Sequence, residues 1–236
     1  MTLPAAPLAT RGVGEVAFAA SLPEAVVALF RLLTHLGNPY LLLACVAAAY
    51  VFGDRIGISR RGAAFALGLG LCAIGLVLGL KQFFGLPRPP ISYRSGLGFP
   101  SGHALGSTAF WGGVAVLADR GRWRRRLTAA GVVIVVVAAS RVLIGVHYLV
   151  DVVAGVGIGI ALLAVTLGFG PGFSVAGSTG PLARPDHRHV AGLFALALVL
   201  GLAGLAVAPG ESELLLGLGT AAGALAGWWR FGRRAA

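Results

Sequence analysis

The residues best suited to chemistry lie past the middle of the chain, around His147. Asp151 follows His147 by four positions, a spacing that places both side chains on one face of a helix. A carboxylate bound to one imidazole nitrogen fixes the tautomer, so that the other nitrogen is free to attack. Arg141 precedes them, and its planar guanidinium suits phosphate oxygens. The alternative interpretation is a buried His–Asp pair that only joins two helices.

A second cluster comprises Ser101, Gly102 and His103, at the point where an apolar segment begins. The free N–H groups and the positive dipole end of a helix start form a site for anions. Glycine also lets an anion approach the backbone closely, and His103 would lie in the first turn, facing the bound group. The alternative is an ordinary helix cap at Ser101.

A third cluster, earlier in the chain, provides positive charge. Lys81 lies at the end of another apolar segment, and Arg88 follows seven positions later between Pro87 and Pro89. We expect the prolines to stiffen a loop that holds Arg88 in place. For Lys81 the simpler alternative is a side chain that extends to the membrane surface.

Together the three clusters resemble the signature of the type 2 phosphatidic acid phosphatase family. That signature consists of Lys-x6-Arg-Pro, Pro-Ser-Gly-His and Ser-Arg-x5-His-x3-Asp. All eleven of its fixed residues are present between Lys81 and Asp151, with the spacing inside each motif kept. Outside the motifs the resemblance carries no residue-level information.

The resemblance implies a fold and a mechanism. The fold implied by the resemblance is a helical bundle whose core helices bring the three motifs together at one membrane face. By this resemblance His147 attacks phosphorus to form a phosphohistidine, Asp151 orients His147, and His103 protonates the leaving oxygen and then activates water. The groups implied to hold the phosphate are Lys81, Arg88, Arg141 and the amides near Ser101 and Gly102. No metal or other cofactor is expected, because the one carboxylate of the motifs serves the histidine.

The composition indicates which elements position these residues. The chain is 57% hydrophobic and only 11% charged, whereas soluble domains carry about 25% charged residues. We therefore predict an all-α, polytopic transmembrane helix bundle of six or seven spans with a core like that of the family. Residues 1–236 would form a single integral membrane domain, with the catalytic core at 62–169 and additional transmembrane helices at 190–230.

Apolar segments separated by polar or glycine- and proline-rich breaks indicate the individual helices. A half-inserted helix is expected over residues 23–36 and ends at Gly37-Asn38-Pro39. Spans are then predicted over residues 40–52, 62–84, 101–118, 127–144, 148–169, 190–207 and 214–229. Glycines in the second of these spans predict close packing between helices.

The arginines indicate the orientation of this bundle. Seven alternating spans place most of them on one side of the membrane. These are Arg55, Arg60, Arg61, Arg120, Arg122, Arg124, Arg125, Arg126, Arg184, Arg188, Arg230, Arg233 and Arg234. Because basic loops stay in the cytoplasm, the motifs and the N-terminus are expected outside. Topology thus explains the formal net charge of +11 without nucleic acid as a partner.

These predictions favour an enzyme of the bilayer that hydrolyses a phosphomonoester or diphosphate of a lipid. Substrates in the family include phosphatidic acid, phosphatidylglycerophosphate and polyprenyl diphosphates such as undecaprenyl diphosphate. An outward site slightly favours the carrier-lipid diphosphate. One alternative is a lipid phosphotransferase with the same intermediate at His147, and another is a transporter that uses intramembrane charges. The sequence leaves the oligomeric state open.

Overall fold

The computed structural model describes residues 11–174, 180–209 and 212–232. These residues form helices and, apart from one isolated bridge, no β-structure. The elements are α1 (Glu15–Ala20), α2 (Glu24–Leu33), a 3₁₀ turn (Thr34–Gly37), α3 (Pro39–Ile56), α4 (Arg60–Phe84), α5 (Gly102–Leu117), α6 (Trp123–Leu143), α7 (Leu149–Gly168), α8 (His187–Val207) and α9 (Ser212–Phe231). Each predicted span coincides with one helix, from α3 to α9. Arg233 and Arg234 of the basic side lie outside the described residues.

Four of these helices, α4, α6, α7 and α8, are long and apolar enough to cross a membrane. A fifth candidate is the pair Glu24–Gly37 and Pro39–Gly53, which bends by 45° at a short break. The prediction of an all-α membrane bundle is therefore confirmed. Helix α5, with 16 residues, and helix α9 are helical as predicted but are not among the candidate spans. For these two helices the spanning role stays a prediction.

The bend between α2 and α3 arises from the sequence Gly37-Asn38-Pro39. Pro39 suits the first turn of α3 because it has no N–H group. The side chain of Asn38 accepts a hydrogen bond from a backbone N–H of that turn at 2.9 Å. The 3₁₀ turn lies against α5, where the indole of Trp111 donates to the carbonyl of Leu36 at 2.9 Å. Irregular backbone at membrane depth is tolerated where it is buried in protein or lines a cavity.

Glycines let the core helices approach closely. A Cβ added at Gly75 of α4 would lie 2.9 Å from the backbone nitrogen of Gly201 in α8. A Cβ added at Gly155 of α7 would lie 2.6 Å from the carbonyl oxygen of Ser101. The predicted close packing of the α4 glycines is therefore confirmed, and the same device joins α5 to α7 near the motifs.

The helix directions bring all three motifs to one end of the bundle. Lys81 lies in the last turn of α4, and His103 lies in the first turn of α5. Arg141 lies in the last turn of α6, and Asp151 lies in the first turn of α7. Since these four helices alternate in direction, their motif ends face the same side.

Candidate active site

A tight turn between α6 and α7 sets the distance between Arg141 and His147. The backbone N–H groups of Val146 and His147 both donate to the carbonyl of Arg141 at 3.2 Å. Gly145 adopts a left-handed conformation with φ of 72°, which favours glycine. A Cβ there would also lie only 2.7 Å from Ile91. The five residues between Arg141 and His147 therefore form a single tight turn that reverses the direction of the chain.

His147 and Asp151 contact each other. Nδ1 of His147 lies 3.3 Å from Oδ2 of Asp151. The same oxygen accepts a hydrogen bond from the backbone N–H of Tyr148 at 3.0 Å, which fixes the carboxylate at the start of α7. His147 is 2% exposed and Asp151 is fully buried. The carboxylate selects the tautomer with its proton on Nδ1, so Nε2 is the nitrogen able to attack.

Arg88 contacts the opposite nitrogen of the imidazole. Its Nη1 lies 3.1 Å from Nε2 of His147 and donates to the carbonyl of Val146 at 3.0 Å. A guanidinium only donates hydrogen bonds, so Nε2 is the acceptor and carries the lone pair. Arg88 and Asp151 therefore select the same tautomer from two sides. We call His147, Asp151 and Arg88 the nucleophile cluster.

The electrostatic environment keeps His147 neutral. Burial lowers the pKa of His147 well below its ordinary value, and the positive charges of Arg88, Arg141 and Lys81 act in the same direction. A neutral imidazole has the lone pair that nucleophilic attack needs. The three cations predicted to hold phosphate thus all act on the predicted nucleophile.

Ser101 joins the second motif to the third. Its backbone N–H donates to the carbonyl of Asp151 at 2.9 Å, and its side chain caps α5. The predicted helix start is confirmed, because α5 begins at Gly102. Gly102 and His103 belong to the first turn, whose N–H groups have no partner within the helix.

A cavity of about 420 Å³ is lined by Arg141, whose carbonyl accepts the backbone N–H of His147, but by no residue of the nucleophile cluster itself. Two of the predicted residues, His103 and Arg141, line it, and His103 lies within electrostatic range of His147. The remaining lining residues come from α2, from the 3₁₀ turn and the Asn38 that follows it, and from the loop before α5. They are Arg31, Thr34, His35, Asn38, Tyr93 and Arg94. We call this the basic cavity, defined by these eight residues.

Arg141 is the buried cation of the basic cavity. Its side chain is 2% exposed, and its Nη1 donates to the hydroxyl of Thr34 at 2.8 Å. Its Nε has no hydrogen-bond partner, and within the described residues no carboxylate forms an ion pair with it. A buried charge without a counterion is costly, so this position favours a bound anion.

Sequence reasoning missed several residues of this site. Thr34, His35 and Asn38 line the basic cavity but belong to no motif. The break after the 3₁₀ turn was the available signal, since broken helices at membrane depth form binding sites. The other missed residue is Arg11, whose Nη1 lies 3.2 Å from Oδ1 of Asp151. No pattern in the sequence marks Arg11.

Apolar helices with a buried polar site at one end of the bundle are the features of a membrane-embedded enzyme. The motifs predict the same class of protein. Residues 62–172 match the family model described as the PAP2 superfamily. This region contains all three motifs, and the resemblance read from the motifs is confirmed.

A curated protein and a solved structure, both from Bacillus subtilis, are similar to the chain. Phosphatidylglycerophosphatase B of strain 168 is 30% identical over 99 residues, which is 38% of this chain and 49% of the relative. The match thus spans about half the length of that curated relative. The crystal structure of a transmembrane PAP2 type phosphatidylglycerolphosphate phosphatase superposes with a TM-score of 0.55 at 23% identity. It covers 66% of this chain and 82% of the other. This likeness confirms the fold.

Proposed function

We propose that this protein is a membrane-embedded phosphatase that hydrolyses a lipid phosphate ester or diphosphate through a phosphohistidine at His147. The observation that carries the proposal is the nucleophile cluster, in which a carboxylate and a guanidinium select the same reactive tautomer. The match to the superfamily model and the name of the Bacillus relative, a phosphatidylglycerophosphatase, support this chemistry.

In the first step Nε2 of His147 attacks phosphorus, and the bond from phosphorus to the leaving oxygen breaks. Attack uses the Nε2 lone pair, so Nη1 of Arg88 turns from Nε2 to a phosphate oxygen. Lys81 and Arg141 bind the other equatorial oxygens, where the negative charge lies. The negative charge of the bound phosphate offsets the cations around His103, so that His103 carries a proton and donates it to the leaving oxygen, which departs on the lipid.

In the second step water removes the phosphoryl group from His147. Neutral His103 takes a proton from the water, the water oxygen attacks phosphorus, and the phosphorus–nitrogen bond breaks. The electron pair returns to Nε2, inorganic phosphate leaves, and His103 is again protonated. Asp151 stabilises the positive ring of the intermediate. These steps use no metal ion, and metal independence is part of the proposal.

The surface beside the basic cavity supports a lipid as the substrate rather than a soluble ester. Helices α2 and α3 flank the cavity, and large apolar side chains on them are exposed. These are Leu29 (52%), Leu32 (68%), Leu41 (39%) and Leu43 (51%). Exposed apolar side chains on helices that enter a bilayer suit contact with acyl or prenyl chains. A lipid would then place its phosphate in the cavity and its tail along this surface.

We also propose that the site faces outward. The arginines at the start of α6 lie at the opposite end of that helix from Arg141, as the positive-inside rule requires for an outward site. An outward site favours recycling of a carrier-lipid diphosphate, since that product is released on this side. If purified protein cleaved a glycerolipid phosphate but no polyprenyl diphosphate, this preference would be wrong.

The covalent intermediate provides the test of the proposed function. Purified protein is mixed with lipid labelled in its phosphate, denatured in base, and counted for bound label, because phosphohistidine survives base and is lost in acid. We expect base-stable label on the wild type and none on His147→Ala. With a nitrophenyl phosphate, whose leaving group needs no proton, His103→Ala is expected to accumulate label because its second step is slow.

His189→Ala is the matched control for these variants. His189 lies at the start of α8, outside the motifs and the basic cavity. It is expected to keep wild-type labelling. Full turnover by His147→Ala would refute the assignment of the nucleophile. Turnover by wild-type protein that never carries the phosphate label would refute it as well.

A further inference from the structure

The site contains more positive charge than one reacting phosphate needs. Lys81, Arg88 and Arg141 already act on the nucleophile. Arg31 and Arg94 line the basic cavity in addition, and both are exposed. None of the eight lining residues is Asp or Glu, so no carboxylate of the cavity wall offsets these charges.

Arg31 and Arg94 line the cavity from two different segments of the chain. Arg31 extends from α2, and its guanidinium lies 5.1 Å from the ring centre of Tyr93 in the loop before α5. Arg94 is the next residue of that loop, and its charge acts on both Arg88 and Arg141. The exposed pair therefore lines the same cavity as the buried Arg141.

We propose that Arg31 and Arg94 form a second anion subsite, which binds a second phosphate of the lipid headgroup. This proposal rests on the proposed phosphatase function and specifies its substrate class as lipids with two headgroup phosphates. A diphosphate has this chemistry, and so does a phosphomonoester joined through glycerol to a phosphodiester. The reacting phosphate lies against the buried cations, and the other phosphate lies between the two exposed arginines.

The test compares lipids that differ in one phosphate. The double variant Arg31→Gln/Arg94→Gln and the wild type are assayed on two pairs of lipids. The first pair is a polyprenyl diphosphate and the polyprenyl monophosphate with the same prenyl tail. The second pair is phosphatidylglycerophosphate and phosphatidic acid. We expect kcat/KM of the double variant to fall about tenfold for at least one two-phosphate lipid. For both one-phosphate lipids it should stay within about twofold of wild type. The lipid whose rate falls identifies which two-phosphate headgroup the subsite binds.

The control is Arg124→Gln/Arg125→Gln, which removes two exposed arginines near the opposite end of α6. In each pair of lipids, this control is expected to leave the ratio of kcat/KM for the two-phosphate lipid to kcat/KM for the one-phosphate lipid unchanged. An equal fall for one- and two-phosphate lipids would overturn the subsite, because it indicates general attraction to an anionic surface. An unchanged ratio would overturn it as well. A wild type inactive on every lipid would instead refute the proposed function.

A second inference concerns Arg11, which contacts the side of Asp151 that His147 does not use. Oδ2 of Asp151 serves His147 and the N–H of Tyr148, whereas Oδ1 lies 3.2 Å from Nη1 of Arg11. The Arg11 side chain is 14% exposed. Its guanidinium lies 4.7 Å from the ring centre of Tyr148, and it also donates to the carbonyl of Pro87.

The segment around Arg11 is anchored to the start of α7. Oε1 of Glu15 accepts a hydrogen bond from the N–H of Leu149 at 3.0 Å, and Oε2 accepts one from Val13 at 2.6 Å. Backbone hydrogen bonds keep the pKa of Glu15 below its ordinary value, although burial opposes them. The anchor is therefore charged at neutral pH and holds Arg11 beside Asp151.

We infer that Arg11 is a positioning residue for the nucleophile. Its positive charge beside Oδ1 stabilises the ionised Asp151 carboxylate, so that Oδ2 remains an acceptor for Nδ1 of His147. Arg11 is not among the residues that line the basic cavity. Its loss should therefore slow the chemical step without weakening substrate binding.

The test separates kcat from KM. Arg11→Gln is expected to lower kcat about tenfold with KM within about twofold of wild type, and Arg11→Lys should recover part of the loss because it keeps the charge. Glu15→Gln is the control for docking of the segment, and thermal unfolding of all three variants is recorded. An unchanged kcat in Arg11→Gln, or equal losses in Arg11→Gln and Arg11→Lys, would overturn the inference.

Discussion

The nucleophile cluster and the basic cavity are adjacent but differ in how their polar groups are satisfied. In the cluster, both nitrogens of His147 have protein partners, Asp151 on one side and Arg88 on the other. In the cavity, the buried Arg141 has one hydrogen bond to Thr34 and an Nε without a partner. Both ring nitrogens of His147 are therefore satisfied within the protein, whereas the cavity has unused capacity for an anion.

This difference separates chemistry from substrate choice. The cluster consists of motif residues, so proteins that share the motifs are expected to share the nucleophile. Six of the eight cavity residues lie outside the motifs, from Arg31 to Arg94. Substrate selection is therefore expected to vary through α2, the 3₁₀ turn and the loop before α5, while the reaction stays the same.

The largest effect is expected inside the cluster. Asp151→Asn offers an amide that stabilises the wrong imidazole tautomer, and kcat should fall by about 10⁴-fold, as in other His–carboxylate pairs. Phosphate release from a lipid phosphate measures this. A loss of less than about tenfold would mean that Asp151 is structural. The nucleophile cluster and the basic cavity could then no longer be separated into a region for chemistry and a region for substrate choice.

A smaller effect is expected at the border of the cavity. Thr34→Val removes the hydroxyl that fixes Arg141 but keeps the shape of the side chain. A hydrogen bond to a charged group contributes about 1.5–3 kcal/mol, so kcat/KM should fall by about 10- to 150-fold. Labelling of His147 should persist in this variant. Loss of labelling with wild-type KM would place Thr34 in the cluster instead.

The contact that joins α5 to α7 is tested by a pair of glycine variants. Gly155→Ala forces a Cβ against the carbonyl of Ser101, at 2.6 Å, whereas Gly157→Ala meets nothing within 4 Å. Overpacking of this kind costs about 1–3 kcal/mol. We expect a lower unfolding temperature in detergent and lower activity for Gly155→Ala only. Equal behaviour of the two variants would show that the Ser101–Asp151 contact tolerates separation.

The smallest effect is expected from chelation. The proposed steps use only side chains, and the part of the chain that the structure describes has no group of three His, Cys, Asp or Glu suited to a metal ion. Dialysis against a chelator should leave phosphate release unchanged within about twofold. Loss of activity that returns on addition of one divalent metal would contradict a metal-free mechanism.

Much of the fold follows from the sequence. The spans predicted at 62–84 and 148–169 correspond to α4 (Arg60–Phe84) and α7 (Leu149–Gly168). Their ends were predictable because apolar length and glycine or proline breaks are local properties of the chain. The same locality explains the i, i+4 contact of His147 with Asp151. The predicted half-inserted helix and first span instead form one bent pair, since their relation depends on packing against α5.

By itself the sequence determined the class of fold and the family resemblance and predicted the candidate nucleophile, because these depend on composition and on short spacings along helices. Only the tertiary structure decided which side chains complete the site. Thr34 meets Arg141 across 107 residues of sequence, and Arg11 reaches Asp151 from a segment outside the family region. Such contacts leave no periodic or spaced pattern. They form because an unpaired buried charge is costly, and the folded structure places polar groups from distant parts of the sequence beside such charges.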